Sequence, residues 1–332
     1  MVLPPVRGSF ENDEDRFSII QCFWDRPKGR SPNGRDPSPM MRGAKAFRMV
    51  ATVLVSIFLL VAIWEGYKWM GGATNGTWPA TSLELPASTD DLTMPHAADI
   101  AGELFEEIRD GRDRLPLSVF LIKKAWFTLQ EAAIGFALGL TIGIGLAVLM
   151  LRWRVAERGL LPWINVSQTV PLIALAPIIV TWGRQQNLPD LLSISLIATY
   201  LTFFPVAVSA LRGLQSPDDA HVELMRSYAA PWRTELVKLR LPAARAYLFP
   251  ALKIAATLSV VGAIVGEISI GTKTGLGRAI LNYAQRYAVF PERLYASVIG
   301  AAVLGLAVFG LVSLAERLVV TRSQGAVEEV VR

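Results

Sequence analysis

The stretch RGLQSPDDAHVELMRSYAAPWRTELVKLRLPAAR, Arg212–Arg245, is a hydrophilic connector between two long apolar runs. It carries Glu223-Leu224-Met225, then Ala229 after three residues, then Leu239-Arg240-Leu241-Pro242 after nine more. A polar connector of this length cannot form a core by itself. Its role therefore depends on the apolar runs that surround it.

Those apolar runs indicate a membrane protein. The chain is 52% apolar and 18% charged, whereas ordinary soluble domains have roughly 45–50% and about 25%. A helix needs about 20 apolar residues to cross a bilayer with its backbone hydrogen bonds satisfied internally. A soluble α/β protein would not collect its apolar residues into six such blocks. The sequence predicts an all-α membrane protein with six transmembrane helices: Met49–Met70, Phe127–Leu151, Leu160–Trp182, Leu191–Leu211, Ala246–Ser269 and Leu294–Val320.

Basic residues in the connectors predict the orientation, because an excess of Lys and Arg stays in the cytoplasm. If the N-terminus is inside, the inside segments hold 21 of the 33 basic residues and the outside segments hold 11. Lys253 lies within a span, near enough to its inner end for the ammonium to reach the interface. This bias predicts that both termini and residues 212–245 are cytoplasmic.

The same assignment divides the chain into segments. The leader lacks the apolar residues needed for a core, which predicts disorder. In the outer segment, Ile100, Leu104 and Ile108 recur at helical spacing, so Ala97–Arg109 is predicted to be an amphipathic helix. Glu65 and Lys68 are expected to pair at the outer end of the first span. The predicted segments are a disordered basic cytoplasmic tail (1–47), the first transmembrane helix (48–70), an extracytoplasmic segment (71–123), a core of five helices (124–317) and a cytoplasmic tail (318–332).

Several kinds of chemistry are disfavoured. With one cysteine, Cys22, and two distant histidines, His96 and His221, the chain has no metal-ligand or disulfide pattern. It also has no Gly-x-x-x-x-Gly-Lys-Ser/Thr phosphate loop. We expect no cofactor on this chain, and any ATP that drives it should be bound by another polypeptide.

The second and third spans contain features that affect packing. Gly135, Gly139 and Gly143 recur every four residues, which is typical of closely packed membrane helices. In the third span, Pro171 and Pro177 each remove a backbone donor and predict an interrupted helix. Such helices line substrate paths in transporters. Gln168, Pro171 and Pro177 are therefore candidates for a translocation path, with a simple kink as the alternative.

Glu267 is a carboxylate deep in apolar sequence, and such residues in membrane spans are candidates for function. It is a candidate for the translocation path. The alternative, which we favour, is that it caps the outer end of the helix bundle. Glu131-Ala132-Ala133 in the second span is also a glutamate followed by two apolar residues, like Glu223-Leu224-Met225 in the connector. It lacks the Leu-x-Leu-Pro that follows in the connector.

The connector resembles the EAA loop of ABC importer permeases, whose pattern is Glu-Ala-Ala, three residues, Gly, nine residues, Ile-x-Leu-Pro. Leu224 and Met225 replace the alanines and Ala229 replaces the glycine, while the frame from Glu223 to Pro242 is intact. The proline-interrupted third helix and the fifth helix ending at Glu267 are similar to the nitrate, sulfonate and taurine importer group. The resemblance covers roughly 124–317.

This resemblance implies the type I importer permease fold in a bacterial inner membrane. It also implies three protein partners: an ABC ATPase subunit, an extracytoplasmic solute-binding protein and a second permease copy, most simply as a homodimer. The ATPase would use the ATP. In the loop, a coupling helix around His221–Lys238 would offer charged contacts from Glu223 and Arg226. Leu239, Leu241 and Pro242 would pack the loop against the inner helix ends.

Two other classes stay open at this point. An ion-driven secondary transporter or channel would need inverted repeats or a charge relay at the midplane, and the sequence contains neither. A membrane enzyme would need a nucleophile–base pair or a metal cluster. No feature points to nucleic acid. The substrate is open among sulfonates, nitrate, and pyrimidine or other vitamin precursors.

Overall fold

The computed structural model describes residues 39–74, 86, 88–110, 113–271 and 274–330. These residues form helices, one π-helical turn at Leu236–Arg240 and one β-hairpin. The helices are α1 (Pro39–Ala73), α2 (Ala97–Glu103), α3 (Leu117–Arg152), α4 (Arg154–Ser167), α5 (Leu172–Gln185), α6 (Asp190–Leu214), α7 (Asp219–Ser227), α8 (Trp232–Glu235), α9 (Leu241–Ile270), α10 (Leu276–Gln285) and α11 (Pro291–Val330), and the strands are β1 (Glu107–Asp110) and β2 (Asp113–Pro116).

Six membrane spans fit these helices. Within the described ranges, α1, α3, α6, α9 and α11 are each long and apolar enough to cross a membrane. The pair α4 and α5 passes the same test together and is bent by 104° at its break. Counted as one interrupted span, this pair gives the predicted total of six.

The first predicted segments need correction. The described residues up to Ile63 form a unit of their own. The apolar side chains of this unit from Val53 onward are largely exposed, as suits a helix facing lipid. Residues 1–38 of the predicted tail lie outside the described residues. The prediction of disorder is wrong for residues 39–47, which are helical. Pro39 begins α1, and proline suits a first helical turn because its missing N–H has no partner there anyway.

Two other predicted boundaries, the start of α3 and the end of α11, also differ from the structure. The helix α3 begins at Leu117, seven residues before the predicted core and ten before the predicted span. Lys123 and Lys124 interrupt the apolar run, but Leu117 and Leu121 are buried in the outer core cluster and extend the helix outward. At the other end, α11 continues to Val330 through the predicted tail.

The helices α3 and α6 pack closely against each other. A Cβ on Gly139 would lie 2.6 Å from the Cβ of Thr202, and one on Gly143 would lie 2.8 Å from the carbonyl oxygen of Phe203. Gly135 is equally tight against Ala198. The three glycines thus let the two backbones approach closely, which confirms their predicted packing role.

At the outer end the chain folds back over the helix ends. The predicted helix over Ala97–Arg109 ends at Glu103, and residues 107–110 instead pair antiparallel with 113–116. The sequence after Arg109 is Asp-Gly-Arg-Asp, and aspartate and glycine are residue types that disfavour a continuing helix. The hairpin places Ile108 in the outer core cluster, and the Arg293 Nε lies 2.5 Å from Glu103 Oε1.

The outer part of α1 is tied to this cap, but not by the predicted pair. Glu65 accepts hydrogen bonds from the backbone N–H of Ala97 at 2.7 Å and from His96 Nδ1 at 2.8 Å. Lys68 instead lies 2.7 Å from Asp91 Oδ1. The predicted Glu65–Lys68 pair is therefore wrong. The Lys68 ammonium, by its hydrogen bond and charge, holds the pKa of Asp91 below its ordinary value.

The connectors predicted to be cytoplasmic lie together at the inner end of the helices. Gln215 Nε2 donates to Glu157 Oε1 at 3.0 Å, and the Arg152 guanidinium lies 5.9 Å from the centre of the Trp232 ring. Connectors predicted inside thus meet at one end of the helices, while those predicted outside meet at the other. Lys253, near the inner end of α9, lies 2.5 Å from Glu316.

Candidate coupling loop and translocation cleft

The helix α7 presents most of its side chains to solvent. Val222 is its buried anchor, whereas Glu223 and Arg226 are exposed and Leu224 keeps 54% of its surface. Met225 is half-buried. Water disfavours an exposed leucine on a projecting helix, so this face suits a contact with another protein.

The predicted coupling helix over His221–Lys238 is interrupted. After α7, Ala229 adopts a left-handed conformation, with φ of 48°. Its N–H donates to the carbonyl of Arg226 at 2.8 Å and the N–H of Ala230 donates to that of Met225 at 3.1 Å. These two bonds form a Schellman motif, which normally places glycine at the left-handed position. The glycine of the EAA pattern thus corresponds to a helix stop, and Ala229 fills the position at a steric cost.

The base of the loop is fixed to α6 by Arg240, which also forms a nearly buried ion pair within the loop that sequence reasoning missed. Arg240 lies 2.7 Å from Glu235 Oε1 and donates a second bond to the carbonyl of Leu214 at 2.9 Å, at the end of α6. Both charged side chains are nearly buried, at 14% and 11% exposure. No local motif reveals this pair, because a separation of five residues does not place side chains together on an ordinary α-helix.

The π-helical turn at Leu236–Arg240 brings them together. Leu241 donates its N–H to the carbonyl of Leu236, five residues back. Pro242 has no N–H for the carbonyl of Lys238, and its ring crowds that carbonyl in an α-helix. The wider turn relieves this crowding.

Leu239, Leu241 and Pro242, at the C-terminal end of the EAA-type loop, differ in burial. Leu241 packs against the inner core cluster, which contains Met150 and Leu214. Leu239 is half-buried and Pro242 is exposed in the first turn of α9. Only Leu241 therefore has the packing contact expected of the set within the described core clusters.

The break between α4 and α5 opens a cleft of about 610 Å³. Gln168 and Pro171 line it, and the Tyr200 hydroxyl donates to the carbonyl of Ser167 beside them. Pro177 lies further along α5 and is exposed. Sequence reasoning missed Tyr200, although an aromatic residue with a hydroxyl in a membrane helix is a signal of a polar partner. The lining is Ser167, Gln168, Thr169, Val170, Pro171, Leu172, Tyr200, Leu201, Phe204, Pro205, Ile254 and Leu258.

Glu267 lies elsewhere, fully buried at the outer end of α9. Its carboxylate accepts a bond from Thr128 Oγ1 at 2.6 Å and from the N–H of Gly277 at 2.5 Å, in the first turn of α10. Thr128 Oγ1 also accepts from the N–H of Leu276 at 2.9 Å. The residue does not belong to the cleft at the α4–α5 break, and its contacts support the capping role. Glu131, on α3, is also buried.

A helical membrane bundle with one interrupted span and a projecting polar loop is typical of membrane transport permeases. The family model for the binding-protein-dependent transport system inner membrane component matches residues 139–323. The chain belongs to this family and is a permease subunit of an ABC importer, a multi-pass inner-membrane protein. The predicted class, fold and membrane are thereby confirmed.

The chain is similar to several curated permeases. It is 35% identical over 176 residues to the formylaminopyrimidine transport permease protein ThiX of Halalkalibacterium halodurans, covering 52% of this chain and 68% of that one. It is 27% identical to the putative aliphatic sulfonates transport permease protein SsuC of Bacillus subtilis, covering 73% and 78%. The riboflavin transport system permease protein RibX of Chloroflexus aurantiacus is 28% identical, with 85% and 94% covered.

Among solved structures, the fold is similar to that of the MetNI methionine ABC transporter in inward-facing conformations. The TM-score is 0.53 at 18% identity, with 61% of this chain and 98% of that chain covered. The likeness concerns the fold alone. It supports the type I importer arrangement of the helices.

Proposed function

We propose that this permease passes the movement of a partner ATPase to its membrane helices through residues 212–245. The observation that carries the proposal is the contrast within this loop. The face with Glu223, Leu224 and Arg226 is free of packing, while the base is fixed to α6 through Arg240. A force on α7 would therefore reach α6 and α9 rather than be absorbed by loose chain.

The ATP is bound and hydrolysed by that partner, and this chain needs no cofactor. The absence of a phosphate loop in the sequence supports this division. The alternative, ion-driven secondary transport, predicts uptake without any ATPase. Vesicles that contain only this chain would then accumulate solute under an ion gradient.

The path for the solute runs beside the break between α4 and α5. Gln168, Pro171 and Tyr200 border a cleft there, and the exposed side-chain amide of Gln168 offers hydrogen bonds to a polar solute. Pro177 loosens the same helix further along. A second copy of the chain completes the path as a homodimer, and an extracytoplasmic binding protein delivers a small polar solute. The relatives named for formylaminopyrimidine, sulfonates and riboflavin support a small polar solute of this kind.

The test of coupling uses the assembled transporter with its cognate ATPase and binding protein. Glu223→Lys and deletion of residues 226–230 should abolish uptake while the protein stays in the membrane at normal yield. Arg158→Glu, a charge reversal on the exposed side of α4, is the matched control and should transport normally. Normal uptake with co-purification of the ATPase by the Glu223→Lys variant would overturn the proposed coupling role.

A further inference from the structure

A second cleft, of about 590 Å³, lies at the opposite end of the helices from the coupling loop. Residues from four separate segments line it: β1, the start of α3, α10, and the region that leads into α11. The lining contains five basic side chains and one acidic one. The basic residues are Arg109, Lys124, Arg278, Arg286 and Arg293, and the acidic residue is Asp110.

The charges of this cleft are only partly compensated. Arg293 pairs with Glu103 at 2.5 Å, and its guanidinium lies 4.1 Å from the centre of the Phe290 ring. Lys124 lies 5.0 Å from the centre of the Phe120 ring. Among the described residues, Arg109, Arg278 and Arg286 form no ion pair within 4.0 Å. The cleft therefore carries a surplus of positive charge.

This surplus of positive charge at the outer end is opposite to the general distribution of basic residues along the chain. Basic residues are concentrated in the segments predicted inside, yet five meet here at the end predicted outside. Bringing like charges together raises the free energy unless an anion offsets them. Since the cations come from four segments, the fold itself assembles them. An anionic occupant gives this assembly a physical reason.

Neutral donors complete the cleft. Asn282 offers an amide and Tyr283 a hydroxyl. Burial raises the pKa of Tyr283, so its hydroxyl keeps its proton and can donate. The volume is in the range of small-molecule sites, about 300–1,000 Å³. A concave site with arginine forks and neutral donors suits an oxyanion group, because guanidinium binds such groups with paired hydrogen bonds.

We propose that this cleft binds an anionic solute that carries a carboxylate, sulfonate or phosphate group, at the outer mouth of the importer before the solute enters the path. The proposal rests on the proposed function, since it assigns the charge of the transported solute. Arg278 and Arg286 bind the anionic group, and the positive charges of Arg109 and Lys124 strengthen the electrostatic attraction of the cleft for it. Arg293, held by Glu103, orients the wall of the cleft.

The test measures binding of small anions to the full transporter in nanodiscs of neutral phosphatidylcholine. The probes are ethanesulfonate, benzoate and inorganic phosphate, each added at millimolar concentrations and followed by calorimetry. Ethanesulfonamide and benzamide are the neutral counterparts. At least one anion should bind to the wild type, more tightly at low salt, and its neutral counterpart should not.

Two substitutions should weaken that binding by roughly tenfold or more each, as expected when a charged hydrogen bond is lost. They are Arg278→Gln and Arg286→Gln. Lys124→Gln should also weaken binding, whereas Lys123→Gln, an exposed neighbour outside the lining, should leave it unchanged. Equal binding by the wild type and both arginine variants would overturn the assignment, as would the absence of binding by every anion.

Other occupants give different results. If no small anion binds in the neutral nanodiscs, but phosphatidylglycerol binds to the wild type and not to the arginine variants, the cleft is a lipid headgroup site and the solute assignment is overturned. If no small anion binds but the same variants lose affinity for the binding protein, the cleft is a docking surface and the assignment is again overturned. ATP hydrolysis by the transporter is measured in parallel. Its persistence in either case leaves the proposed coupling function standing.

Discussion

The two ends of the helices are built differently. At the outer end, connecting segments are held by side chains that bond to distant backbone groups. Tyr295 donates to the carbonyl of Thr93 at 2.6 Å and Trp64 donates to that of Pro95 at 3.0 Å. At the inner end, the described side chains hold the base of the loop but leave α7 exposed. The outer end thus resembles a fixed cap, and the inner end presents a surface to a partner.

Removal of Arg240 should have the largest effect, because it breaks the fixed base of the inner loop. Arg240→Ala leaves the Glu235 carboxylate buried without its partner and removes a bond to the carbonyl of Leu214. Loss of one partner of a buried pair costs about 3–5 kcal/mol. Thermal unfolding of the purified protein in detergent measures this loss.

A double substitution sharpens the same test. Arg240→Met with Glu235→Gln removes both charges and should recover much of the lost stability. Arg245→Ala, at an exposed site on α9, is the control and should unfold like the wild type. If Arg240→Ala unfolds at the wild-type temperature, the buried pair does not fix the base.

The outer cap should respond to Thr128→Val with a smaller effect. The substitution keeps the shape of the side chain but removes its bonds to Glu267 and to the N–H of Leu276. Unsatisfied buried groups cost about 1–3 kcal/mol each. Hydrogen exchange should rise in α10 and stay unchanged in α7, and Thr141→Val, on an exposed part of α3, should change neither. Equal exchange in the Thr128 variant and the wild type would show that Glu267 does not need this partner.

The smallest change concerns the stop of α7. Ala229→Gly should raise stability by about 1 kcal/mol, because glycine reaches the left-handed conformation without the Cβ clash. Part of the gain is offset by the greater freedom of glycine in the unfolded chain. Ala230→Gly is the control, since residue 230 is not among the described residues with positive φ, and it should not stabilise. A loss of stability in the Ala229 variant would contradict the strain that its φ implies.

Much of the fold followed from the sequence because membrane spans depend on local composition. The six apolar blocks, the glycine face of α3 and the break near Pro171 each rest on a run of neighbouring residues. The start of α3 was harder to predict. Lys123 and Lys124 suggested that the apolar run begins after them, whereas the helix begins under the outer cap at Leu117.

The parts of the candidate site that were missed depend on contacts between distant residues. Arg240 meets Leu214 across 26 positions, and Thr128 meets Glu267 across 139. Periodicity cannot reveal such partners. Glu65 shows the same difficulty, because a neighbour one turn away on the helix appeared to be a sufficient partner, while the actual one, His96, comes from the outer segment.

The π-helical turn also sets a direction. Each residue of an α-helix turns the chain by about 100°, so the extra residue in the turn at Leu236–Arg240 changes the angle at which the loop leaves α9. The number of residues between Glu235 and Pro242 thus determines which way α7 faces around the axis of α9. A single deletion there would point the same surface residues in another direction. The partner-facing surface is consequently specified by chain length at this turn as well as by the side chains on α7.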